Sequence, residues 1–341
     1  MEDNSMKYRE LGRSGLWVSA VGLGCMGMSH AYGAAADCRE MTELLAHAVD
    51  LGYTFFDTAE VYGTESEPHH NEELLGIALR PFRDKIVLAT KFGLSFDTAS
   101  DRVPYPLIPD SRPEVIRRSV EGSLQRLRTD HIDLYYQHRV DPVVAPEEVA
   151  GVMADLIREG KVLHWGISEA TEEVIRRAHA VCPLTAVENR YSMMARHYEP
   201  LFPVLEELGI GFVAFSPLAN GLLTDHYSPD SHFETGTDYR ASMPQFRPES
   251  YDANRQLLEL IRNYASDKQA TPAQISLAWM LAKKPWIVPI PGSRKLHRLQ
   301  ENAGAAVISL TAEEVRRIDD ALDTMPMSEI FGGTALKKKT E

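Results

Sequence analysis

The chain has 341 residues, of which 44% are hydrophobic and 25% are charged, and its formal net charge at pH 7 is -13. These proportions are typical of a folded globular protein. The excess of acidic residues argues against a general affinity for nucleic acid, because binding to phosphates requires clustered lysine and arginine. A local basic pocket for one anionic cofactor remains compatible with this charge.

The cysteines and the apolar runs indicate the cellular compartment of the protein. Cys25, Cys38 and Cys182 are widely spaced and form no CxxC pair, which argues against a disulfide framework and against a zinc site. The N-terminus lacks an apolar signal core, and no run of about 18 apolar residues occurs. We therefore expect a cytoplasmic protein with no metal and no membrane partner.

Short, apolar, β-rich runs alternate with longer segments of helical periodicity along the chain. The eight runs are 20–25, 54–59, 86–92, 132–138, 163–168, 185–191, 211–217 and 286–292. Helical patterns begin at Pro113, Pro146 and Pro272, and others end near Gly160 and Gly209. Eight strands that are each followed by a helix predict an α/β fold, a (β/α)8 TIM barrel forming a single domain over residues 1–341.

A doubly wound open sheet is the alternative fold for such an alternation. It would normally carry a GxGxxG loop after its first strand, whereas residues 22–27 read GLGCMG and no helical pattern follows at once. Residues 6–19 alternate around a glycine-containing turn, which predicts an N-terminal β-hairpin placed to plug the bottom of the barrel.

Two connections, after the third and the seventh strand, are long: roughly 93–110 and 218–249. Loops of this length in a compact domain usually serve binding, and both would lie on the catalytic face of a barrel. The second carries Phe233, Tyr239, Met243 and Phe246, enough apolar surface to close over a substrate. The segment TESEPHHNEELLG at 64–76 is expected to be a surface loop, and its two histidines lack a third metal ligand.

Four polar side chains stand at or just beyond the ends of successive predicted strands. Asp57 and Tyr62 follow the second strand, Lys91 lies at the end of the third, and His138 ends the fourth. Adjacent strand ends converge on one mouth of a parallel barrel, so these side chains are expected to share a pocket. Any one of them alone would more often be structural, but the four together favour a functional site.

This set of side chains suits carbonyl reduction. A tyrosine hydroxyl, with a pKa of about 10, is a poor acid–base catalyst at neutral pH, and a nearby ammonium lowers that pKa. A carboxylate would hold the lysine in place, and the imidazole would hydrogen-bond to the carbonyl oxygen and orient it.

A basic cluster follows the eighth strand, at Arg294, Lys295, His297 and Arg298. Backbone N–H groups at the start of a helix, together with arginine, form an anion site. The alternative is a solvated basic loop. In a chain this acidic, the cluster favours a site for an anionic cofactor.

The segments GLGCMGMSHAYG, FFDTAEVYG, ATKFG, DLYYQHRVDP, GISEA, FVAFSPL and PIPGSRKLHRLQEN resemble the aldo-keto reductases, most closely the long-chain bacterial and plant members. The resemblance runs from about residue 8 to about residue 323. It implies NADPH-dependent, reversible reduction of aldehydes and ketones, with Asp57, Tyr62, Lys91 and His138 as the catalytic tetrad and Tyr62 as general acid. It implies cofactor contacts from Gly24, Cys25, Met26, Ser168, Glu188, Phe215, Ser216, Leu218, Gly221, Gly292, Ser293, Arg294, Arg298, Gln300, Glu301 and Asn302. Substrate contacts are expected from Met28, Tyr32 and Arg139.

In that resemblance, Ser168 contacts the nicotinamide carboxamide, Phe215 stacks on the ring, and Ser293 and Arg298 meet the 2′-phosphate. Two positions depart from the family pattern: Glu169 replaces a common Asn, and Glu188 replaces a common Gln. Residues two apart on a strand share a face, so we expect an ion pair between Glu188 and Arg190. Alternatively, Glu188 contacts the carboxamide alone and Arg190 points elsewhere.

Two other functions remain open at this stage. One is a regulatory subunit that binds the cofactor as a redox sensor, as potassium-channel β subunits of the same family do. The other is a barrel enzyme that uses Lys91 to form a Schiff base. The sequence leaves open the physiological carbonyl substrate and the choice between a monomer and a homo-oligomer.

Overall fold

The computed structural model describes residues 6–101 and 105–337. The strands are β1 (Tyr8–Glu10), β2 (Trp17–Ser19), β3 (Leu23–Gly24), β4 (Phe55–Asp57), β5 (Val87–Phe92), β6 (Leu94–Phe96), β7 (Leu107–Pro109), β8 (Ile132–Gln137), β9 (Val162–Ser168), β10 (Ala186–Arg190), β11 (Gly211–Phe215) and β12 (Ile287–Pro289). The helices are α1 (Cys38–Asp50), α2 (His70–Ala78), α3 (Pro113–Leu127), α4 (Pro146–Arg158), α5 (Glu172–Val181), α6 (Phe202–Leu208), α7 (Pro248–Ala253), α8 (Arg255–Asp267), α9 (Pro272–Lys283), α10 (Leu296–Gly304) and α11 (Ala312–Thr324).

Eight parallel strands form one curled sheet in the order β12-β11-β10-β9-β8-β5-β4-β3. The two edge strands meet where the Gly22 N–H donates to the Pro289 carbonyl at 2.9 Å. Inside this ring, an apolar cluster includes Phe55, Leu134 and Val213, all fully buried. The prediction of a (β/α)8 barrel is confirmed, and each of the eight predicted runs overlaps one of these strands, with β9 starting one residue earlier than predicted.

Helix starts follow from local capping chemistry. The Thr271 hydroxyl accepts from the Gln274 N–H, and the Gln274 side chain returns a bond to the Thr271 N–H, so α9 begins with a capping box. Proline occupies the first turn of α3, α4 and α9, where its missing N–H costs nothing. No helix among the described residues is long and apolar enough to cross a membrane.

The predicted N-terminal hairpin forms, with β1 antiparallel to β2. Its Leu11 and Val18 side chains are fully buried in the same cluster that fills the barrel interior. The Arg13 N–H donates to the Gly209 carbonyl at 2.8 Å, directly before β11 begins. The hairpin therefore closes the end of the barrel from which the strands start.

The long connection after β5 is more ordered than a loop. It contains the antiparallel pair β6–β7, although residues 102–104 lie outside the described residues. A segment near the C-terminus runs beside β7: the Leu107 N–H donates to the Ala335 carbonyl at 2.9 Å, and the Lys337 N–H donates to the Leu107 carbonyl at 2.8 Å. This segment near the C-terminus is thereby placed at the catalytic face, where Phe331, Gly333 and Thr334 line the cavity.

The connection after β11 is built from short 3-10 turns. Of its four expected substrate-facing side chains, Tyr239 and Met243 line the cavity at the barrel mouth. Phe233 and Phe246 do not line it, because their rings pack on each other and on Tyr227, with centroids 4.9 to 5.4 Å apart. Half of this apolar surface thus stabilises the loop instead of facing a ligand.

The expectation of a surface loop at 64–76 is wrong from His70 onward, where α2 begins. Asn71 and Glu72 in its first turn are fully buried. The Asn71 amide donates to the Cys25 carbonyl at 2.9 Å, and Glu72 accepts from Thr90 and pairs with Arg126. These polar residues point inward and form buried hydrogen bonds. A polar sequence pattern therefore predicted a surface loop where a helix is present.

We predict that Gly12→Ala destabilises the protein more than Gly15→Ala does. Both glycines have positive φ, +66° and +78°, but a Cβ at Gly12 would overlap the Gly209 carbonyl while one at Gly15 meets open space. The left-handed strain is common to both variants, so the difference reports the hairpin–barrel contact, about 1–3 kcal/mol. Urea unfolding measures it; equal losses would contradict a tight hairpin contact.

Candidate active site

A cavity of about 450 Å3 opens at the carboxyl ends of the barrel strands. Of the four residues predicted to act together, Asp57, Tyr62 and His138 line it. Lys91 lies behind them with no exposed surface. The residues expected at the cofactor that line the cavity are Gly24, Met26, Ser168, Glu188, Phe215, Ser216, Leu218, Gly221, Gly292, Ser293, Arg294, Arg298, Glu301 and Asn302.

The four polar side chains at the strand ends form one cluster. Lys91 Nζ donates to Asp57 Oδ1 at 2.5 Å and to the Thr58 carbonyl at 2.9 Å. The same ammonium lies 5.0 Å from the centre of the Tyr62 ring. The rings of Tyr62 and His138 meet edge to face, with centroids 5.5 Å apart. A phenol, an ammonium and an imidazole thus share one end of the cavity.

Burial and charge together set the protonation of this cluster. Burial raises the pKa of Tyr62 to about 12 against the opposing effect of Lys91, so the phenol carries its proton at neutral pH. Burial also opposes the charge on Lys91, but Asp57 and Glu188 outweigh it and raise the pKa of the ammonium. Burial, with Arg139 and Lys91, lowers the pKa of His138 well below its usual value, so this imidazole is neutral.

Glu188 joins the lysine cluster instead of pairing with Arg190. Its Oε1 lies 3.2 Å from Lys91 Nζ, whereas the Arg190 guanidinium lies over the Phe215 ring, 5.0 Å from its centre. The expected Glu188–Arg190 ion pair is therefore not formed. The physical reason is that a buried ammonium reaching across the barrel offers the carboxylate a fully desolvated partner.

Asp57 and Glu188 face each other within hydrogen-bonding range. Asp57 Oδ2 and Glu188 Oε2 are both buried and have no other partner. Two carboxylates cannot satisfy each other unless one of them is protonated. Burial, followed by the charge of Asp57, raises the pKa of Glu188 to about 8. A proton held by Glu188 and donated to Asp57 accounts for both oxygens.

A second cluster of charged residues, Arg139 and Glu169, lies around Ser168. Arg139 donates to the Ser168 hydroxyl at 3.0 Å and to the His138 carbonyl at 2.6 Å. Its Nε lies 3.1 Å from the Glu169 carboxylate. Arg139, expected at the substrate, lines the cavity from beside Ser168. Ser168 keeps its own hydroxyl proton, which is still available for a ligand.

The opposite end of the cavity is basic. Arg294 donates to the Gly27 and Ala34 carbonyls at 2.5 and 2.8 Å, and Arg298 pairs with Glu301 at 2.6 Å. Gly292 approaches the β3 end so closely that a Cβ there would lie 2.6 Å from the Gly24 carbonyl. The start of α10, these arginines and a bare backbone cradle form a site that suits an anion.

Besides Lys91, three expected site residues do not reach the cavity. Cys25 and Met28 are buried in the apolar cluster with Leu44 and Leu45 of α1. Gln300 is exposed on the outer side of α10, whereas Arg298 and Glu301, one turn apart, line the cavity. Helical periodicity explains this, because adjacent positions of a helix face different directions. Of the residues expected at the substrate, Tyr32 and Arg139 line the cavity.

Several residues that line the cavity were not predicted. His30 Nδ1 donates to the Gly63 carbonyl at 2.7 Å, and its ring stacks nearly parallel to that of Tyr62 with centroids 6.3 Å apart. Arg240 pairs with Asp238, and Phe331 arrives from the C-terminal segment. No strand-end pattern marks these positions, because they lie in loops that only the folded chain brings to the mouth. Among the described residues, no group of three or more His, Cys, Asp or Glu side chains could hold a metal ion.

We predict that Glu188→Gln gains stability relative to the wild type as the pH rises from about 4.5 to about 8. In the folded protein Glu188 keeps a proton that the unfolded chain has lost, so its contribution to the free energy of unfolding falls across this window. The amide has no such proton. Urea unfolding at pH 5 and pH 8 measures the difference, with exposed Glu249→Gln as the control. A difference that does not change with pH would show that Glu188 is ionised throughout.

The chain is similar to known proteins in sequence and in fold. The family model described as "Aldo/keto reductase family" matches residues 20–323. The chain is 41% identical over 326 residues to probable aldo-keto reductase 1 of Glycine max, covering 95% of this chain and 90% of that protein. It is similar to the solved structure of the glycerol dehydrogenase AKR11B4 from Gluconobacter oxydans, with 26% identity, a TM-score of 0.83, and 98% and 99% of the two chains covered.

A holo form of aldo-keto reductase AKR11C1 from Bacillus halodurans is also similar, with 26% identity and a TM-score of 0.74. In this case 96% of the present chain and 99% of the other are covered. The family match spans all eight barrel strands and all the cavity-lining residues except Phe331, Gly333 and Thr334. The chain therefore belongs to the aldo/keto reductase family, and it is an oxidoreductase that acts on carbonyl groups.

Proposed function

We propose that the protein reduces aldehydes and ketones to alcohols with NADPH, reversibly, and that Tyr62 is the proton donor. The observation that carries this proposal is a buried, protonated phenol held between an ammonium and a neutral imidazole at the reactive end of the cavity. A carbonyl oxygen that approaches Tyr62 meets a donor whose proton is released most easily beside a positive charge.

The cavity fits a nicotinamide dinucleotide. Gly24 and Gly292 leave a cradle that a Cβ would fill, and the start of α10 with Arg294 and Arg298 supplies an anion site. At the other end, Ser168 has a free hydroxyl proton for a carboxamide, and Phe215 offers a ring for stacking. When bound, the cofactor would supply the hydride.

Each residue of the cluster has a separate task in this proposal. Tyr62 gives its proton to the carbonyl oxygen, and Lys91 stabilises the phenolate that is left. Asp57 keeps Lys91 charged and in place through the 2.5 Å contact. His138 is neutral, so it can donate one N–H to the carbonyl oxygen and orient it without adding charge.

Schiff-base chemistry at Lys91 is the weaker alternative. A lysine nucleophile must be neutral and accessible, whereas this ammonium has no exposed surface and its pKa is raised by two carboxyl groups. Its hydrogen bonds to Asp57 and to the Thr58 carbonyl would also have to break.

We predict that Tyr62→Phe lowers kcat for 4-nitrobenzaldehyde by about 10²- to 10⁴-fold, because the proton donor is lost. Binding of NADPH, followed by its fluorescence, is expected to stay nearly unchanged. Tyr264→Phe, on helix α8, is the control. Turnover retained by Tyr62→Phe would remove this residue from its role. A wild-type protein that binds NADPH but reduces no carbonyl would instead favour a cofactor-sensing subunit.

We predict that Arg298→Gln raises the Kd for NADPH by roughly 10-fold or more, because a charge-assisted contact to the 2′-phosphate is removed. NADH lacks that phosphate, so its Kd is expected to change little. Exposed Arg158→Gln controls for the change in net charge. Equal weakening of both cofactors would place Arg298 away from the 2′-phosphate.

A further inference from the structure

One guanidinium in the cavity has no partner. Arg190, at the end of β10, is only 5% exposed and lines the cavity. Within the described residues it forms no hydrogen bond and no ion pair, and its guanidinium lies over the Phe215 ring. A cation over an aromatic face gains a weak attraction, which does not replace hydrogen bonds to the guanidinium N–H donors.

The charges around Arg190 do not neutralise it. The charged groups that act on it are Glu169, from the turn after β9, and Arg139, from the turn after β8; the remaining titratable neighbours are Tyr32 and Tyr198. Glu169 is already paired with Arg139 at 3.1 Å. Two guanidiniums therefore face one carboxylate, and one positive charge is left over in a chain whose formal charge is -13.

Burial lowers the pKa of Arg190, but a guanidinium stays protonated at physiological pH. Holding an unpaired charge away from bulk water is energetically unfavourable. Such a cost is tolerated at sites where a ligand completes the pair.

The position of Arg190 relates it to the reacting end of the cavity. It lies two residues beyond Glu188, on the same face of β10 and about 7 Å nearer the mouth. Glu188 contacts Lys91. From above, the C-terminal segment approaches so closely that a Cβ at Gly333 would lie 3.4 Å from the guanidinium. An anion bound here would sit between the cluster around Tyr62 and the C-terminal segment.

We propose that Arg190 binds a carboxylate of the substrate, so that the preferred substrates are aldehydes or ketones that also carry an acid group. This inference rests on the proposed function and names the substrate class for the same site. The phosphates of the cofactor are the other source of an anion. The basic residues expected to meet those phosphates follow β12, whereas Arg190 lies above the cluster that contains Tyr62.

The test compares two aldehydes of nearly equal shape, 4-carboxybenzaldehyde and 4-nitrobenzaldehyde, of which only the first is charged. We expect the wild type to prefer the carboxylate in kcat/KM, and Arg190→Gln to lower that preference by about 10-fold or more. Activity with the nitro compound should change by less than about 2-fold. Arg190→Lys, which keeps the charge, should retain part of the preference, and exposed Arg317→Gln should retain all of it.

Two further measurements separate the possible failures. Arg190→Met removes an unpaired buried charge, so its melting temperature should not fall; a large loss would indicate a structural role and overturn the proposal. A weaker NADPH complex with an unchanged substrate preference would assign Arg190 to the cofactor phosphates and would also overturn it.

Calorimetric titration with benzoate, with and without NADP+, tests the anion site without turnover. We expect binding to the wild type and its loss in Arg190→Gln, and equal binding by both would overturn the inference. If the wild type reduces neither aldehyde but binds benzoate through Arg190, the proposed function fails while the anion site stands.

Discussion

The buried ammonium of Lys91 is the constraint on which the rest of the site depends. It has no exposed surface, so its charge must be compensated by groups inside the barrel. Asp57 comes from the neighbouring strand β4, but Glu188 comes from β10, which is separated from β5 by β8 and β9 in the sheet. The contact between Lys91 and Glu188 therefore crosses the barrel interior. Only a closed ring of strands brings these two side chains within 3.2 Å.

The protonation state of Glu188 affects the pKa of the Tyr62 phenol. Burial raises the pKa of the phenol, Lys91 lowers it, and Asp57 and Glu188 raise it further. When Glu188 is neutral, the phenol lies beside one cation, Lys91, and one anion, Asp57. An ionised Glu188 adds a second anion and makes the phenolate less stable. A glutamate at this position thus couples the acid–base strength of Tyr62 to a second titration, which a glutamine could not do.

The sequence predicted the barrel and the four clustered polar residues because both follow from strand periodicity. Charged residues at the ends of apolar strands are conspicuous, and parallel strands align their ends. Predictions failed where the chain leaves regular strands. Cys25 and Met28 lie just beyond β3, where the backbone turns and no alternation tells which side chains face the cavity. Phe331 could not be foreseen, since its place depends on a distant contact between the C-terminal segment and the β6–β7 pair.

The two departures from the family pattern, Glu169 and Glu188, are not independent of one another. Glu169 pairs with Arg139, Glu188 pairs with Lys91, and Arg190 is left without a carboxylate. Had Glu188 turned toward Arg190, the lysine would have lost one of its two acidic partners and the guanidinium would have gained one. The side chains of Glu169 and Glu188 are thus committed to Arg139 and Lys91, and the charge of Arg190 remains available to the cavity. The contact of Glu188 with the buried ammonium of Lys91 therefore leaves a positive charge on the side of the cavity where Arg190 lies.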